Sequence, residues 1–149
     1  MLWDYVKHFN KEERWGSASS MNGLLVLLLD AVRDRIGCPI AIHCGYESEG
    51  HIENSEHKRG NAVDFHFDSE LSLLAQAKCL EATLRKLQVY DRVGLGVYPD
   101  WNNPGFHLDV RGYYARWGRI GQMYVSWEDA LMHAAGKVRY DKGHVEAVP

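Results

Sequence analysis

Residues 62–67 read Ala-Val-Asp-Phe-His-Phe, and residues 106–111 read Phe-His-Leu-Asp-Val-Arg. Both stretches alternate apolar and polar side chains, which is the pattern of a β-strand with one face on the core. The apolar members are predicted to face that core: Val63, Phe65, Phe67, Phe106, Leu108 and Val110. The polar members then share the opposite face: Asp64, His66, His107, Asp109 and Arg111. Two strands therefore present ionisable, metal-competent side chains on one surface.

A helix is predicted before these strands, over residues 20–36, because apolar side chains recur there at helical spacing. Ser19 or Ser20 is the expected cap at its start, and Gly37 is the expected stop. Asp30 falls on the face opposite to the leucines, so the helix is expected to be amphipathic.

The other elements complete the prediction of an α+β fold. They are strands over 40–44 and 93–97, a helix opening at Asp68 or Ser69, and a short helix reaching about Ala135 from a Ser126–Asp129 capping box. This order predicts one domain over residues 1–149, with a small antiparallel sheet flanked by helices. The core is expected to span about 8–135, and the tail, 137–149, is expected to fray.

Composition limits the function classes. The chain has 149 residues, 46% hydrophobic and 25% charged, with a net charge of −3, which is typical of a globular domain and disfavours nucleic acid as a partner. Residues 24–29 form the longest apolar run, too short for a membrane span. The N-terminus shows no secretory signal, so synthesis in the cytoplasm is expected. Three cysteines, Cys38, Cys44 and Cys79, are expected to be reduced and mostly buried.

Three side chains suggest a metal site. Asp64 and His107 lie on the outer face of the two strands, and His57 lies on the polar loop just before the first. Two imidazoles and one carboxylate are the ligand set of a catalytic zinc site, which leaves one position open. The chain has eight histidines, so chance His/Asp pairs are common and spacing alone does not decide the matter.

Two stretches resemble the paired signatures of the zinc D-Ala-D-Ala carboxypeptidases and endopeptidases, in the phage and bacterial branch of that family. The first is Ser55-x-His57-x-x-Gly60-x-Ala62-x-Asp64. The second is Phe106-His107-Leu108-Asp109-Val110-Arg111-Gly112 followed by Ala115-Arg116-Trp117. Upstream stretches resemble the family's lead-in segments: His8-Phe9 with Glu12-Glu13, Gly37-Cys38-Pro39-Ile40, and Gly45-Tyr46. The resemblance covers about residues 8–118 in the family's order.

The resemblance implies a Hedgehog- and DD-peptidase-like domain whose antiparallel sheet carries one Zn²⁺ on His57, Asp64 and His107. It implies cleavage of peptide bonds next to D-amino acids in bacterial peptidoglycan, as a carboxypeptidase or a cross-link endopeptidase. The expected partner is a peptidoglycan peptide, with no nucleic acid and no membrane, and a monomer is favoured. By analogy, the chain is expected to act on the cell wall after release, in a phage or prophage context.

Two departures from the family pattern leave the catalytic roles open. Glu47 stands where many members have an arginine that stabilises substrate, and Pro104 stands where several have an acidic general base. Asp109 is the first candidate for the base, with orientation of His107 as an equal alternative and a salt bridge to Arg111 as a lesser one. The further candidates are Glu47 and then Asp100 as the base, and Arg111 or Arg59 as the cation at the oxyanion.

The remaining candidates each have a plain structural alternative. Ser55 is expected to line the site or to cap a turn, and His66 to stand behind the metal rather than to bind it. His43 and His51 flank the site loop, whereas nothing argues for a site at His8, His133 or His144. Two roles are open for the aromatic side chains of Trp101, Tyr113, Tyr114 and Trp117. They form a wall that binds peptide or glycan, or they only cover the edge of the sheet. The rival functions are a catalytically silent zinc-binding structural or wall-binding module of a phage particle, and, less favoured, a nuclease-like metal site.

Overall fold

The structure, a computed structural model, describes residues 1–50, 53–141 and 143–148. Within these residues the chain forms three α-helices: α1 (Gly23–Ile36), α2 (Leu73–Lys86) and α3 (Trp127–Ala134). The six strands of the main sheet are β1 (Ile40–Cys44), β2 (Ala62–Phe67), β3 (Gly94–Tyr98), β4 (Gly105–Asp109), β5 (Ala115–Ile120) and β6 (Met123–Val125). A separate hairpin consists of β7 (Val138–Asp141) and β8 (His144–Ala147). The predicted α+β class is confirmed.

The strand order is β1-β2-β4-β3-β5-β6, and the sheet is mixed rather than purely antiparallel. Only the β3–β5 pair is parallel among the pairs of the described sheet. The parallel pairing of β5 with β3 follows from the order of the strands. Both edges of β4 are taken by β2 and β3, so the next strand joins the free edge of β3. It runs opposite to β4 and hence parallel to β3.

The core lies between the helices and one face of the sheet. The alternating apolar residues of β2, β3 and β4 are fully or almost fully buried there, as the sequence pattern predicts: Val63, Phe65, Phe67, Leu95, Val97, Phe106 and Leu108. Because successive strand residues point to opposite faces, the polar residues of the same strands occupy the outer face of the sheet. That outer face carries the candidate site.

The helices begin later than the sequence suggests. α1 is capped by Asn22, whose side chain accepts a hydrogen bond from the Leu24 N–H, whereas Ser20 belongs to a preceding 3₁₀ turn. α2 is capped by Ser72, whose side chain accepts a hydrogen bond from the Ala75 N–H, and not by Asp68 or Ser69. The predicted stop at Gly37, with φ of 71°, and the Ser126 cap of α3 are both present.

Asp30 is buried, not exposed on the polar face of α1. Its two carboxylate oxygens accept hydrogen bonds from the backbone N–H groups of Lys7 and His8, at 3.0 and 2.8 Å. The carboxylate therefore fixes the N-terminal segment to α1. This use of the aspartate has no counterpart in the helical pattern, because the pattern does not include the segment that covers the helix.

The tail that was expected to fray forms the β7–β8 hairpin instead. Asp141 pairs with His144 at the turn, where Gly143 has a φ of 87° that a glycine adopts readily. The three cysteines are free as predicted, but Cys79 is exposed, and Cys38 and Cys44 are half-buried. None of the helices in the described ranges is long and apolar enough to cross a membrane.

Candidate metal centre and its cleft

Strand register brings the central side chains into one row across the outer face of the sheet. Asp64 of β2 is the Cα partner of His107 of β4, which is in turn the partner of Gly96 of β3. Gly96 is paired with Trp117 of β5. Alternation along each strand points all of them away from the core. Asp64 and His107 are therefore neighbours on the outer face of the sheet, the face that the two sequence patterns predict for both.

His57 reaches the same point from a 3₁₀ turn over Glu56–Arg59. Ser55 caps this turn by accepting a hydrogen bond from the His57 N–H at 3.2 Å. Gly60 ends the turn with a φ of 71°, and a Cβ there would lie 1.9 Å from the Ser20 carbonyl oxygen. The turn and its two flanking residues thus hold the imidazole over β2.

Both predicted histidine ligands lie close to one oxygen atom of the third predicted ligand, Asp64. His57 Nε2 lies 3.3 Å from Asp64 Oδ1, and His107 Nδ1 lies 3.0 Å from the same oxygen. The two imidazole rings are 5.1 Å apart between centroids and stand nearly perpendicular. His57 and His107 are buried, while Asp64 is half-buried. One imidazole nitrogen of each histidine thus lies within 3.3 Å of the same Asp64 oxygen.

The far nitrogen of each imidazole is also engaged. His57 Nδ1 lies 2.8 Å from the Gly45 carbonyl oxygen, and because a carbonyl only accepts, Nδ1 donates. His107 Nε2 donates to Asp109 Oδ2 at 2.8 Å. These bonds fix both rings and leave Nε2 of His57 and Nδ1 of His107 facing Asp64. Protein metal sites commonly orient their histidines in this way, and the donor set fits zinc.

Cys44 is a neighbour that the sequence did not indicate. Its Sγ and ligand atoms of His57 and Asp64 all lie within 4.8 Å of one another, close enough to hold a metal ion. The β1–β2 register shifts between Ile42 and Cys44, and this shift brings Cys44 opposite Asp64. The thiol lies 3.8 Å from His57 Nδ1, the nitrogen already bonded to the Gly45 carbonyl. The two possible ligand sets share His57 and Asp64 and differ in their third member.

The opposite charges in the cluster shift the pKa values of its members so that each charged form is stabilised. Burial disfavours the imidazolium form of His57, but hydrogen bonds with Asp64 and Cys44 outweigh it and raise its pKa to about 10. Burial likewise opposes protonation of His107, and bonds to Asp109 and Asp64 raise its pKa to about 9. Burial raises the pKa of the Asp64 carboxyl, but the bonds to both histidines hold it well below its usual range.

These shifts predict how stability depends on pH when a chelator is present. The raised histidine pKa values stabilise the fold fully below about pH 6.5 and lose that effect as pH rises through 9 to 10. The lowered Asp64 pKa stabilises the fold above about pH 4 and loses that effect in acid. We therefore expect the melting temperature with EDTA to be highest between about pH 4 and 6.5.

Asp64→Asn is the matched variant for this profile. It removes the shared carboxylate, so the fall in melting temperature on the alkaline side should shrink. A wild-type melting temperature that keeps rising from pH 7 to pH 10 with EDTA would contradict the ion pairing in the cluster.

Asp109 lies behind His107 rather than in the cleft. It is fully buried, and its Oδ2 contacts His107 Nε2 and Arg111 Nη2. Its Oδ1 accepts from Arg111 Nε at 2.8 Å and from the backbone N–H groups of Gly94 and Arg111, both at 3.2 Å. Burial acts to raise the pKa of this carboxyl, but the bonds to Arg111 and His107 outweigh it and lower the pKa. Of the three roles considered for Asp109, the geometry favours orientation of His107, together with the salt bridge to Arg111, over proton transfer.

An open cleft of about 770 Å³ lies against the cluster. Its lining includes all three predicted ligands together with Ser55 and Arg111, and its aromatic wall is Tyr98, Trp101, Tyr113, Trp117 and Tyr124. Of the four aromatic residues singled out from the sequence, Tyr114 alone is not part of this lining and contacts Tyr90 instead. Ser55 caps the turn and also lies in the lining of this cleft.

Several other candidates lie away from this cleft. Glu47 is exposed and outside the lining, and Arg59 is bonded to Glu56. Asp100 accepts a hydrogen bond from the Gly121 N–H and contacts His133.

The other described histidines lie outside the proposed ligand set. His66 is hydrogen-bonded to His43, whose ring packs on Trp101. Burial and the neighbouring His66 lower the pKa of His43. His8 contacts Asp34, His144 lies on β8, and His51 lies outside the described residues.

Two glycines of β3 make room for the site, and the sequence analysis did not identify them. A Cβ on Gly94 would lie 2.5 Å from both Asp109 oxygens and from Arg111 Nε. A Cβ on Gly96 would lie 2.6 Å from Trp117 Nε1. Glycine inside a strand often marks a close approach, so the run Gly94-Leu95-Gly96 was the available signal.

Gly94→Ala should disturb the support of His107. We expect zinc affinity to fall about 10- to 100-fold, as when residues behind metal ligands are replaced. Gly23→Ala is the control, because its Cβ would meet only Leu2 at an ordinary 3.4 Å. Zinc titration of both variants with a competing chelator makes the comparison. Equal affinity in Gly94→Ala and wild type would show that the Asp109 bonds do not bear on the metal.

No model of a known protein family, no curated protein and no solved structure matches the chain. The resemblance to the zinc D-Ala-D-Ala peptidases therefore stays a prediction, carried by the two signatures alone.

Proposed function

We propose that this chain is a zinc-dependent peptidase that cleaves peptide bonds next to D-amino acids in bacterial peptidoglycan. The observation that carries the proposal is the approach of His57 Nε2 and His107 Nδ1 to one oxygen of Asp64 at the wall of a large cleft. These are the three positions that the signature resemblance assigns to zinc. The geometry supports the proposal in that His57 and Asp64 belong to both possible ligand sets, with His107 beside them.

The protein's own residues have distinct parts in this proposal. His57, Asp64 and His107 would hold the ion, and a zinc ion at such a site polarises a carbonyl group and makes hydroxide available near neutral pH. Asp109 and Arg111 keep the His107 ring in place from behind. The indole of Trp117 donates to the Tyr98 hydroxyl at 2.9 Å and packs against His107, so the wall beside the site is ordered. A peptide can lie along that wall.

The donors of this site favour zinc over magnesium and calcium. Two imidazoles and one carboxylate suit a borderline-soft ion, whereas magnesium and calcium prefer oxygen ligands alone. A nuclease-like magnesium site is therefore disfavoured. A plasmid-cleavage assay with magnesium is the direct check, and we expect no cleavage.

The test is hydrolysis of purified peptidoglycan. Zinc-loaded protein should release D-alanine or expose new amino groups, and both signals should disappear with chelator and return with added zinc. Peptidoglycan of several cross-link chemistries is needed, because the bond cleaved is not specified by the site. Absence of release from every chemotype by a zinc-loaded sample would overturn the enzymatic proposal.

One observation favours a second candidate, a zinc-binding module without catalysis, such as a structural or wall-binding part of a phage particle. Apart from Asp64, the carboxylate of the described cleft lining is Glu56, and its oxygens are bonded to Arg59 and Asn61. An evident proton-transfer group is thus lacking among those residues. Pull-down with intact peptidoglycan separates the candidates: binding without hydrolysis supports the module, and hydrolysis excludes it.

A further inference from the structure

The β5 wall of the cleft carries a second arginine, Arg119, which the sequence analysis did not place in the site. It lies two residues beyond Trp117 on β5 and pairs with Tyr124 of β6. Because side chains alternate along a strand, Arg119 shares the outer face with Trp117. It lines the cleft together with Tyr98 and Tyr124. The cleft therefore has a cation on β5, two strands beyond the strand that carries His107.

Arg119 differs from Arg111 in how its charge is balanced. Arg111 forms two bonds with Asp109, at 2.8 and 2.7 Å, so a buried carboxylate neutralises it. Arg119 donates from Nη2 to the neutral side chain of Gln122 at 2.8 Å, and its guanidinium lies 5.3 Å from the centre of the Tyr124 ring. Its Nε is buried and has no hydrogen-bond partner among the residues that the structure describes. With respect to the described part of the chain, Arg119 forms no ion pair.

The position of Arg119 sets which part of a ligand it reaches. His107 on β4 is paired with Gly96 on β3, and Gly96 is paired with Trp117 on β5. Arg119 lies two residues after Trp117 along β5, so it is two strands and two residues away from His107. At about 4.8 Å per strand and 3.3 Å per residue, the two Cα atoms are roughly 12 Å apart. A group bound by the guanidinium is then one to three peptide residues from a bond held at His107.

We propose that Arg119 binds a free carboxylate of the substrate and makes the cleft selective for acidic peptide ligands. The inference rests on the proposed function in taking this cleft as the substrate site. A guanidinium recognises a carboxylate by charge-assisted, often bidentate hydrogen bonds, which a neutral amide cannot replace. Glu47, at the position where the resemblance predicts a substrate-binding arginine, lies outside the cleft lining. Arg119 is a cation that the cleft lining itself offers to a carboxylate.

The test compares peptides that differ only in this carboxylate. The probes are N-acetylated peptides with one, two or three residues after a D-Ala–D-Ala bond, each as the free acid and as the C-terminal amide. Binding is measured by calorimetry at low temperature, and hydrolysis is followed separately. For at least one length, wild type should bind the acid about tenfold more tightly than the amide. In Arg119→Gln the ratio should fall to about one.

Two further variants keep the outcome interpretable. Arg119→Lys retains the charge and should retain part of the preference, and Arg139→Gln, on β7, should leave it unchanged. A ratio of one in wild type at every length overturns the inference, and so does a preference that Arg119→Gln preserves. Acid-selective binding without hydrolysis supports the role of Arg119 and counts against the peptidase proposal. Hydrolysis without acid selectivity supports the peptidase proposal and overturns the role of Arg119.

Discussion

Replacing His57 or His107 with alanine should lower zinc affinity by more than about a hundredfold, because even residues behind metal ligands contribute about 10- to 100-fold. Each variant removes one of the two nitrogens that face Asp64 Oδ1. Peptidoglycan hydrolysis should fall to background in both. Zinc content after dialysis and affinity by chelator competition are the measurements.

Cys44→Ser is the matched control for this experiment. Its thiol contacts His57 on the Nδ1 side, away from the nitrogen that faces Asp64. If His107 is the third ligand, the Cys44→Ser variant keeps its zinc and the His107→Ala variant loses it. The opposite pattern would mean that Cys44, His57 and Asp64 form the true site. A stoichiometric zinc retained by His57→Ala would rule out both sets.

Asp109→Ala should be the most destabilising single change near the site. The carboxylate is fully buried between His107 and Arg111, and its loss leaves the Arg111 charge without its partner. Breaking a buried ion pair in this way costs about 3–5 kcal/mol of unfolding free energy. Urea denaturation with and without zinc measures the loss.

The Asp109→Ala/Arg111→Ala double variant shows whether the unpaired charge is the cause. Because it removes both partners, it should lose less stability than the sum of the two single variants. Asp91→Ala, at an exposed position, should change stability by less than about 0.5 kcal/mol. A purely additive double variant would show that Asp109 and Arg111 act separately.

The central part of the site could be predicted from sequence because strand alternation is a strict rule. Once Val63 and Phe65 are assigned to the core, Asp64 must lie on the outer face, and the same holds for His107 between Phe106 and Leu108. The structure confirms both placements. It adds the register that sets Asp64 opposite His107, which alternation alone does not fix because it specifies only the face of a side chain.

Other features depend on contacts that no local pattern encodes. Asp30 is buried because a distant segment, Lys7-His8, covers it, and Cys44 meets Asp64 because of an irregular pairing of β1 with β2. β5 was missed since its residues alternate less clearly, reading Ala-Arg-Trp-Gly-Arg-Ile. Without β5, the position of Arg119 in the cleft was not predictable.

The role of Asp109 shows the same limit at the level of one side chain. Its placement on the outer face next to His107 was predicted, and reach to the metal region was a reasonable consequence. Whether its oxygens are free depends on Gly94 and Arg111, which come from the neighbouring strand and the following loop. Sequence gives the direction of a side chain, but the competition for its atoms is decided by tertiary packing.

X-ray absorption spectroscopy of the zinc-loaded protein identifies the metal ligands, since it reports the donor atoms around the ion. The account predicts a shell of nitrogen and oxygen at about 2.0–2.2 Å with two imidazole contributions and no sulfur. A sulfur donor at about 2.3 Å would assign the ion to Cys44 and contradict the site of His57, Asp64 and His107.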